Sequence, residues 1–354
     1  MRIAFLTEYD NIGGGESNLM NLCSALSKSV DVVLFCDGNL YEQASARGIP
    51  VRRATLSGRR WIRFLPFISL STQLRRELAG FDVVHAYSVN VLPRLFMSGK
   101  PLVWTTHGYW ERPYGMRARV INAFIDRVVT VSSDVDKDAK FGAKQRKIYL
   151  GTPVGSEVAA LKPFDIEDIR IACVGRFQSI KGQDLLLLAL GAFAKQHRNR
   201  RVTLELIGDV NGNEKADLEF RDQLHSLARE HATENLTVRF LGFQKQPAQY
   251  IRRADFVVVP SRYESFSMVA IEALACGKPV IAPAVGGPQD IIDSSELGML
   301  FEAGNALSLQ HVLEQTVAGF TAFSPEACIR RAQEFSIERQ AAQHMDMYRE
   351  LCRA

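Results

Sequence analysis

Long apolar runs are missing from this 354-residue chain. No stretch approaches the roughly 20 apolar residues that a membrane-spanning helix needs, and the opening MRIAFLTEYD is too short an apolar segment for a signal peptide. Cysteine is sparse and unpatterned: residues 23, 36, 173, 276, 328 and 352 show no CxxC or Cys/His spacing, which argues against a structural zinc and a disulfide framework. They read as small core residues kept reduced, and the chain as a cytoplasmic protein. Low-complexity tracts are absent too. With 47% hydrophobic and 23% charged residues the composition is that of a globular protein, and the length suits two ordinary domains.

Acid is missing from one region. Between Glu42 and Glu77 stand eight arginines and no Asp or Glu. Residues 1–165 hold 22 Lys/Arg against 15 Asp/Glu and residues 166–354 hold 21 against 24, so the first half is +7 and the second −3, for a net charge of +4. Within the basic region GRRWIRFLPF (58–67) interleaves arginine with Trp61, Phe64 and Phe67. The stretch 52–67 suits an anionic membrane surface, with rings at the headgroup level and arginines on phosphates, and so peripheral association at the inner face of a membrane. A solvated basic loop is the alternative. Nucleic acid is not expected, because no recognition motif accompanies the charge.

Short β-branched runs alternate with helical patterns, the signature of βαβ units and parallel sheets. The first series places strands at 2–6, 31–36, 82–86, 102–106 and 127–131, with helices including 15–28 and 117–125. A second series places strands at 169–177, 202–209, 236–243, 255–261 and 278–285, with helices near 182–196, 216–231, 246–253, 267–275 and 305–316. GTPVGSEVAALKPFD (151–165) reads as a linker. The fold class is therefore α/β, with Rossmann-like domains at 1–155 and 166–335 and a C-terminal helix at 336–354 returning to the first domain. Ligands of such sheets sit outside the carboxyl ends of the strands.

One position breaks the pattern. Glu272 interrupts the apolar run Met268–Ala275, where a carboxylate is costly unless donors surround it. Just before this helix, Ser265 or Ser267 is placed to cap it, and the free N–H groups of its first turn form an anion site. In VGRFQSIKGQD, Arg176 ends a strand and Lys181 precedes a helix; two such cations suit a diphosphate, which Arg meets bidentately and Lys as a point charge.

Together with Glu264-x7-Glu272 these residues make the chain resemble the retaining family-4 glycosyltransferases of the GT-B fold, two Rossmann-like domains facing across a cleft. The resemblance rests on GRFQSIKGQDLLLLAL (175–190), IGD (207–209), FLGF (240–243) and ADFVVVPSRYESFSMVAIEALACGKPVIAPAVGGPQDII (254–292), with weaker echoes in GGGES (13–17) and THG (106–108). It implies that Arg176 and Lys181 neutralise the donor diphosphate, that Glu264 contacts donor-sugar hydroxyls, and that Glu272 accepts hydrogen bonds from the ribose. It assigns Ser265 and the backbone of Phe266, Ser267 and Met268 to phosphate or sugar, Gly14 and Gly15 to close approach of the donor phosphates, His107 to the donor sugar, and Phe243 to the base. Two positions depart: Leu150-Gly151 replaces the usual Asn-Gly, and Gln289-Asp290 stand where the family shows a glutamate after Gly-Gly, making Asp290 its stand-in. The implied activity is retaining transfer of a hexose-type sugar from a nucleotide-diphosphate sugar, UDP before GDP, to a hydroxyl of a glycan, lipid-linked or small-molecule acceptor bound by the first domain. No metal or other cofactor is implied.

Rival readings are weaker. GGGES lacks the third glycine of a dinucleotide fingerprint, because Asn18 stands there. The DxDxD string in SSDVDKD (132–138) lacks the glycine and closing glutamate of a calcium loop and suits a helix first turn. His85 reads as a strand-end residue near the cleft. An inactive sugar-nucleotide-binding scaffold, a phosphorylase or an epimerase would share the fold.

Overall fold

The computed structural model describes residues 1–9, 12–54, 56, 72–96, 98–108, 111, 116–155 and 167–353. It divides into two compact units, Met1–Pro153 with Ser336–Ala354, and Val154–Phe335.

The first unit is built on seven parallel strands. In chain order it comprises β1 (Arg2–Leu6), α1 (Gly14–Leu26), β2 (Asp31–Cys36), α2 (Gly38–Ala46), β3 (Val51–Arg53), α3 (Thr72–Leu78), β4 (Val83–Ala86), β5 (Leu102–Thr106), α4 (Met116–Phe124), β6 (Arg127–Thr130), α5 (Ser133–Ala139) and β7 (Gln145–Lys147). The sheet order is β3-β2-β1-β4-β5-β6-β7. Past their first residue, Arg2 and Asp31, strands such as RIAFL and DVVLFC are continuously apolar because helices cover both faces. Successive side chains serve opposite cores: Ile3 and Phe5 pack with Leu19 and Leu22 of α1, whereas Ala4 and Leu6 pack with Phe35, Leu78 and Trp104. The edge strands β3 (VRR) and β7 (QRK) carry no apolar signal and escaped the sequence reading. Asp134 and Asp136 of the DxDxD string lie in the first turn of α5, capped by Ser132, with Asp136 accepting a 2.6 Å bond from the Thr130 hydroxyl.

The second unit is a six-stranded parallel sheet of order β10-β9-β8-β11-β12-β13. Its elements are β8 (Asp168–Val174), α6 (Gln183–Gln196), β9 (Arg201–Ile207), α7 (Lys215–Glu230), β10 (Leu236–Phe240), α8 (Ala248–Arg253), β11 (Phe256–Val258), α9 (Met268–Ala275), β12 (Val280–Pro283), α10 (Pro288–Ile291), β13 (Gly298–Phe301), α11 (Ala306–Ala318) and α12 (Pro325–Glu334). Ile171, Cys173, Leu204, Leu206 and Phe256 from the strands meet Leu186, Leu190 and Phe193 of α6 and Leu309 and Leu313 of α11 in one core.

The last helix, α13 (Ile337–Arg353), belongs to the first unit. Ile337, Ala341, Met345 and Tyr348 recur at helical spacing and join the core beneath α1. Buried polar bonds fix it: Asn18 Nδ2 donates to Gln340 Oε1 at 2.9 Å, the Gly151 amide donates to the same oxygen at 2.8 Å, and His85 Nδ1 lies 2.6 Å from the Tyr348 hydroxyl. His85 is thus a fully buried residue within β4, facing α13, and not a strand-end group. Asn18 cannot be the missing glycine of a dinucleotide loop, since its amide holds Gly151 and Gln340 together.

Among the described residues no helix is long and apolar enough to cross a membrane. The basic region begins paired: Arg53 meets Glu42 at 2.5 Å and Arg52 meets Glu77 at 3.8 Å, so the acids flanking the stretch come back onto it. Of the remainder, Thr55 and residues 57–71, with Trp61, Phe64 and Phe67, lie outside the described residues, as do 156–165 of the expected linker. All six cysteines are free, four of them buried, while Cys352 is exposed on α13.

Candidate functional site

Ligands of doubly wound sheets collect where strand order reverses, because the loops there part in opposite directions. In the second unit the reversal lies between β8 and β11, and the loops that follow these strands carry Arg176, Lys181 and Glu264.

The two loops are tightly joined. Lys181 ends a turn of 3-10 helix, Ser179–Lys181, and its Nζ lies 2.5 Å from Glu264 Oε1, which also accepts a 2.7 Å bond from the Ser261 hydroxyl. Glu264 is only 9% exposed, and these two donors meet its carboxylate where burial takes it from water. Gly182 follows with φ +68°, and a Cβ there would stand 2.1 Å from the Pro260 carbonyl oxygen, so only glycine lets the loops approach. Arg176 is exposed, and its guanidinium meets no other side chain among the described residues.

Behind Glu264 begins α9. Ser267 holds the capping position, but neither it nor Ser265 caps the helix as expected. At φ +87° Ser267 is left-handed, a strained conformation for a residue with a Cβ, and its hydroxyl makes no cap bond and is buried without a partner. The first-turn N–H groups therefore keep their capacity for an anion. Gly286 and Gly287 support this loop from β12: a Cβ at Gly286 would lie 1.8 Å from the Glu264 carbonyl oxygen, and one at Gly287 2.3 Å from Phe266. One helical turn in, Glu272 is half-buried, has no hydrogen-bond or ion-pair partner among the described residues, and burial pushes its carboxyl up to about 7. No described donor offsets that cost. Phe243, after β10, is 67% exposed, and Asp290 lies on α10, whose end Arg331 holds through the Asp290 carbonyl at 2.6 Å.

In the first unit the reversal falls between β1 and β4. Gly14 and Gly15 open α1 with Glu16 bonded back to the Gly13 amide at 2.8 Å, and the nearest described atoms to a Cβ on Gly15 would be those of the His107 ring at 3.8 Å, an ordinary contact distance. His107 follows β5. Burial pushes its imidazole down to about 4, so it is neutral at physiological pH, and its Nε2 is buried without a partner. Its amide donates to Glu111 Oε2 at 2.7 Å, and its ring lies 4.7 Å from that of Tyr87, whose hydroxyl donates to Asn18. Glu111 is 3% exposed, and burial, reinforced by Glu16 and Glu8, raises its carboxyl to about 8. Glu8 accepts from Asn90 Nδ2 at 2.6 Å and from the Ser88 hydroxyl at 3.1 Å.

The sequence reading did not single out Glu8, Glu111, Tyr87, Arg262 or Asp184. Only Asp184 carried a local signal, an acid in the first turn of α6 after KGQ. Glu8, Tyr87 and Arg262 are defined by partners far along the chain, and Glu111 by its burial beside His107.

Residues 161–334 match the family described as glycosyl transferases group 1, and residues 12–150 match glycosyltransferase family 4. The D-inositol 3-phosphate glycosyltransferase of Jonesia denitrificans is 30% identical over 332 residues, covering 79% of this chain and 74% of that protein. The corresponding Corynebacterium aurimucosum protein is 32% identical over 233 residues, 63% of this chain and 51% of the relative's length. The crystal structure of Anabaena Alr3699/HepE with UDP and glucose superposes with a TM-score of 0.80 at 22% identity, covering 99% of this chain and 100% of that one. The α/β architecture is that of GT-B glycosyltransferases.

Proposed function

Because the chain belongs to the glycosyl transferases group 1 family, we propose that it transfers a hexose-type sugar from a nucleotide-diphosphate sugar, a UDP-sugar in preference to a GDP-sugar, to an acceptor hydroxyl with retention of anomeric configuration. The observation that carries this reading is the convergence in the second unit of Arg176, Lys181, Glu264 and the uncapped start of α9 at the reversal between β8 and β11. This is two cations, a helix N-terminus and a buried carboxylate, the complement of a diphosphate bearing a polyol.

Each group has a role. Arg176 and Lys181 neutralise the departing diphosphate, and the first-turn amides of α9, with Ser265, Phe266, Ser267 and Met268 around them, hold phosphate or sugar oxygens. Glu264 accepts hydrogen bonds from sugar hydroxyls, Glu272 from the ribose, and Phe243 offers a ring to the base. The resemblance assigns His107, a neutral imidazole whose Nε2 is buried without a partner, to the donor sugar, and Gly14 and Gly15 to the donor phosphates. The bond from anomeric carbon to phosphate oxygen breaks with its electron pair leaving on the diphosphate. The acceptor oxygen bonds to that carbon from the same face, and its proton passes to the departing phosphate oxygen. Catalysis is then positioning and electrostatic stabilisation, and the two cations supply the charge compensation without a metal.

The acceptor is a glycan, lipid-linked or small-molecule hydroxyl. The relatives named for D-inositol 3-phosphate and the neighbour crystallised with UDP and glucose support a sugar-nucleotide donor. A thermal-shift screen of UDP-, GDP- and ADP-sugars tests the donor, since a ligand that binds only the folded state raises its melting temperature. Release of nucleoside diphosphate by slow donor hydrolysis separates a transferase from an inactive scaffold. Arg176→Ala and Lys181→Ala should each lower turnover by at least about a hundredfold, in the range of losing one transition-state charge contact; near-wild-type turnover in either variant sinks the assignment.

A further inference from the structure

Lys181 and Glu264 share one bond at 2.5 Å, and each keeps capacity beyond it: the ammonium has two further donors for a diphosphate, and the carboxylate has a second oxygen for sugar hydroxyls. The two groups must then serve each other and the donor at once, so the 179–182 turn and the 260–264 turn have to stay in register as the donor binds.

A second tie between the same turns uses neither reacting group. Arg262 Nη1 and Nη2 donate to Asp184 Oδ1 and Oδ2 at 2.9 and 2.7 Å, a two-bond fork that restrains rotation as well as distance. Arg262 Nη1 also donates to the Ser179 carbonyl at 2.6 Å, and the Arg262 amide to the Ile180 carbonyl at 2.8 Å. Asp184 is 8% exposed and sits in the first turn of α6, so it is anchored to the helix that Lys181 leads into. Arg262 is two residues from Glu264, and both of its carbonyl partners lie in the Ser179–Lys181 turn or at its edge. The guanidinium thus makes one bond to the Lys181 turn and two to the start of α6, and the Arg262 amide adds a second bond to the turn.

We infer that Arg262, with Asp184 as its partner, is a positioning residue for sugar transfer, holding the Lys181 turn in register with the Glu264 turn while the donor diphosphate occupies Lys181. The inference rests on the donor-site reading above. Lysine cannot replace it, because an ammonium cannot form the fork and reach Ser179 together. Free nucleoside diphosphate depends on this register less than the donor does: the flexible Lys181 stem can follow a phosphate alone, whereas the sugar needs Lys181 and Glu264 placed at once.

The test compares the wild-type full-length chain with Arg262→Ala, Arg262→Lys and Asp184→Asn. Each is measured for melting temperature, for affinity toward UDP, GDP and ADP, and for kcat and KM of hydrolysis of UDP-, GDP- and ADP-glucose. Arg262→Ala should lose at least about tenfold in kcat while its diphosphate Kd rises less than about threefold and most of the protein stays folded at the assay temperature, a loss of transition-state contacts without a loss of uniform binding. Arg262→Lys should not restore kcat, and Asp184→Asn should fall between Ala and wild type. The inference is overturned if Arg262→Ala keeps kcat within twofold, if Lys restores it fully, or if kcat and diphosphate affinity fall together in proportion to unfolded protein. A wild-type chain that neither binds nor hydrolyses any of these nucleotides overturns the donor-site reading and this inference with it; unchanged variants of an active wild type overturn this inference alone.

Discussion

Replacing Glu272 with glutamine should stabilise the ligand-free protein and weaken donor binding, and both effects should depend on pH. Burial raises the Glu272 carboxyl to about 7, and no partner within the described residues offsets it. The folded state therefore holds the Glu272 proton more tightly than the unfolded state does. The resulting advantage is complete below the unfolded value of roughly 4.3 and is lost as pH rises through about 7. A shift of this size corresponds to roughly 3 kcal/mol, and partial solvent contact at this half-buried side chain reduces it to about 1–3 kcal/mol. Glu272→Gln removes the penalty at pH 8 and changes little at pH 4. For a domain of this size the gain is an increase of roughly 3–10 °C in melting temperature at pH 8. Binding should move the other way. Ribose hydroxyls donate to the ionised carboxylate, so the wild-type Kd for the nucleotide should rise about tenfold from pH 8 to pH 6, as the competent fraction falls. The glutamine variant should bind more weakly at pH 8 and lose this pH dependence. Melting scans and nucleotide titrations at pH 4 to 8 provide the readouts. A variant no more stable than wild type at pH 8, or one whose nucleotide affinity keeps the wild-type pH dependence, refutes the reasoning.

Gly286→Ala should destabilise the second unit by about 1–3 kcal/mol and lower donor affinity, because its Cβ would strike the Glu264 carbonyl at φ +69°. Gly304→Ala is the control: it carries the same kind of strain at φ +79° with nothing within 4 Å, so a stability loss without a change in affinity is expected, and equal effects on affinity would contradict the cradle. Acidification should weaken the first unit. His107 and His344 are pushed down to about 4 by burial, so the unfolded chain takes up their protons first, and stability falls as pH drops from about 6.5 toward 4. His344→Phe should flatten that slope in chemical denaturation between pH 7 and 4.5, and an unchanged slope would count against it. Flotation with anionic phosphatidylserine vesicles should carry the chain upward in low salt and lose it at high salt; absence from the vesicle fraction at any ionic strength would exclude the 52–67 surface as a membrane contact.

Local order in the chain determined a good deal. Apolar runs such as DVVLFC and RIACV become central parallel strands because a strand buried on both faces needs no alternation, and the helices between them follow their own 3.6-residue period. The candidate donor residues were legible in part: Arg176, Lys181 and Glu264 each sit within a few residues of a strand end or helix start, and the resemblance singled them out with Glu272, whereas their loops are neighbours because β11 pairs with β8. Tertiary structure decided what depends on distant partners. β3 and β7 are strands only because β2 and β6 offer them an edge, their own sequences being basic and polar. Arg52 and Arg53 looked unopposed in a region without acid, yet the chain turns Glu77 and Glu42 onto them. His85 is a core residue because Tyr348, 263 positions later, reaches its ring nitrogen. Ser267 promised a helix cap, but the close packing of Gly286 and Gly287 behind residues 264–266 accompanies a left-handed backbone and a hydroxyl without a partner. Periodicity and spacing express short-range sterics and burial, which act within a few residues. Pairing, strain and the shifted acidity of Glu272, Glu111 and His107 arise from groups that only folding brings together or removes from water, and no local pattern records them.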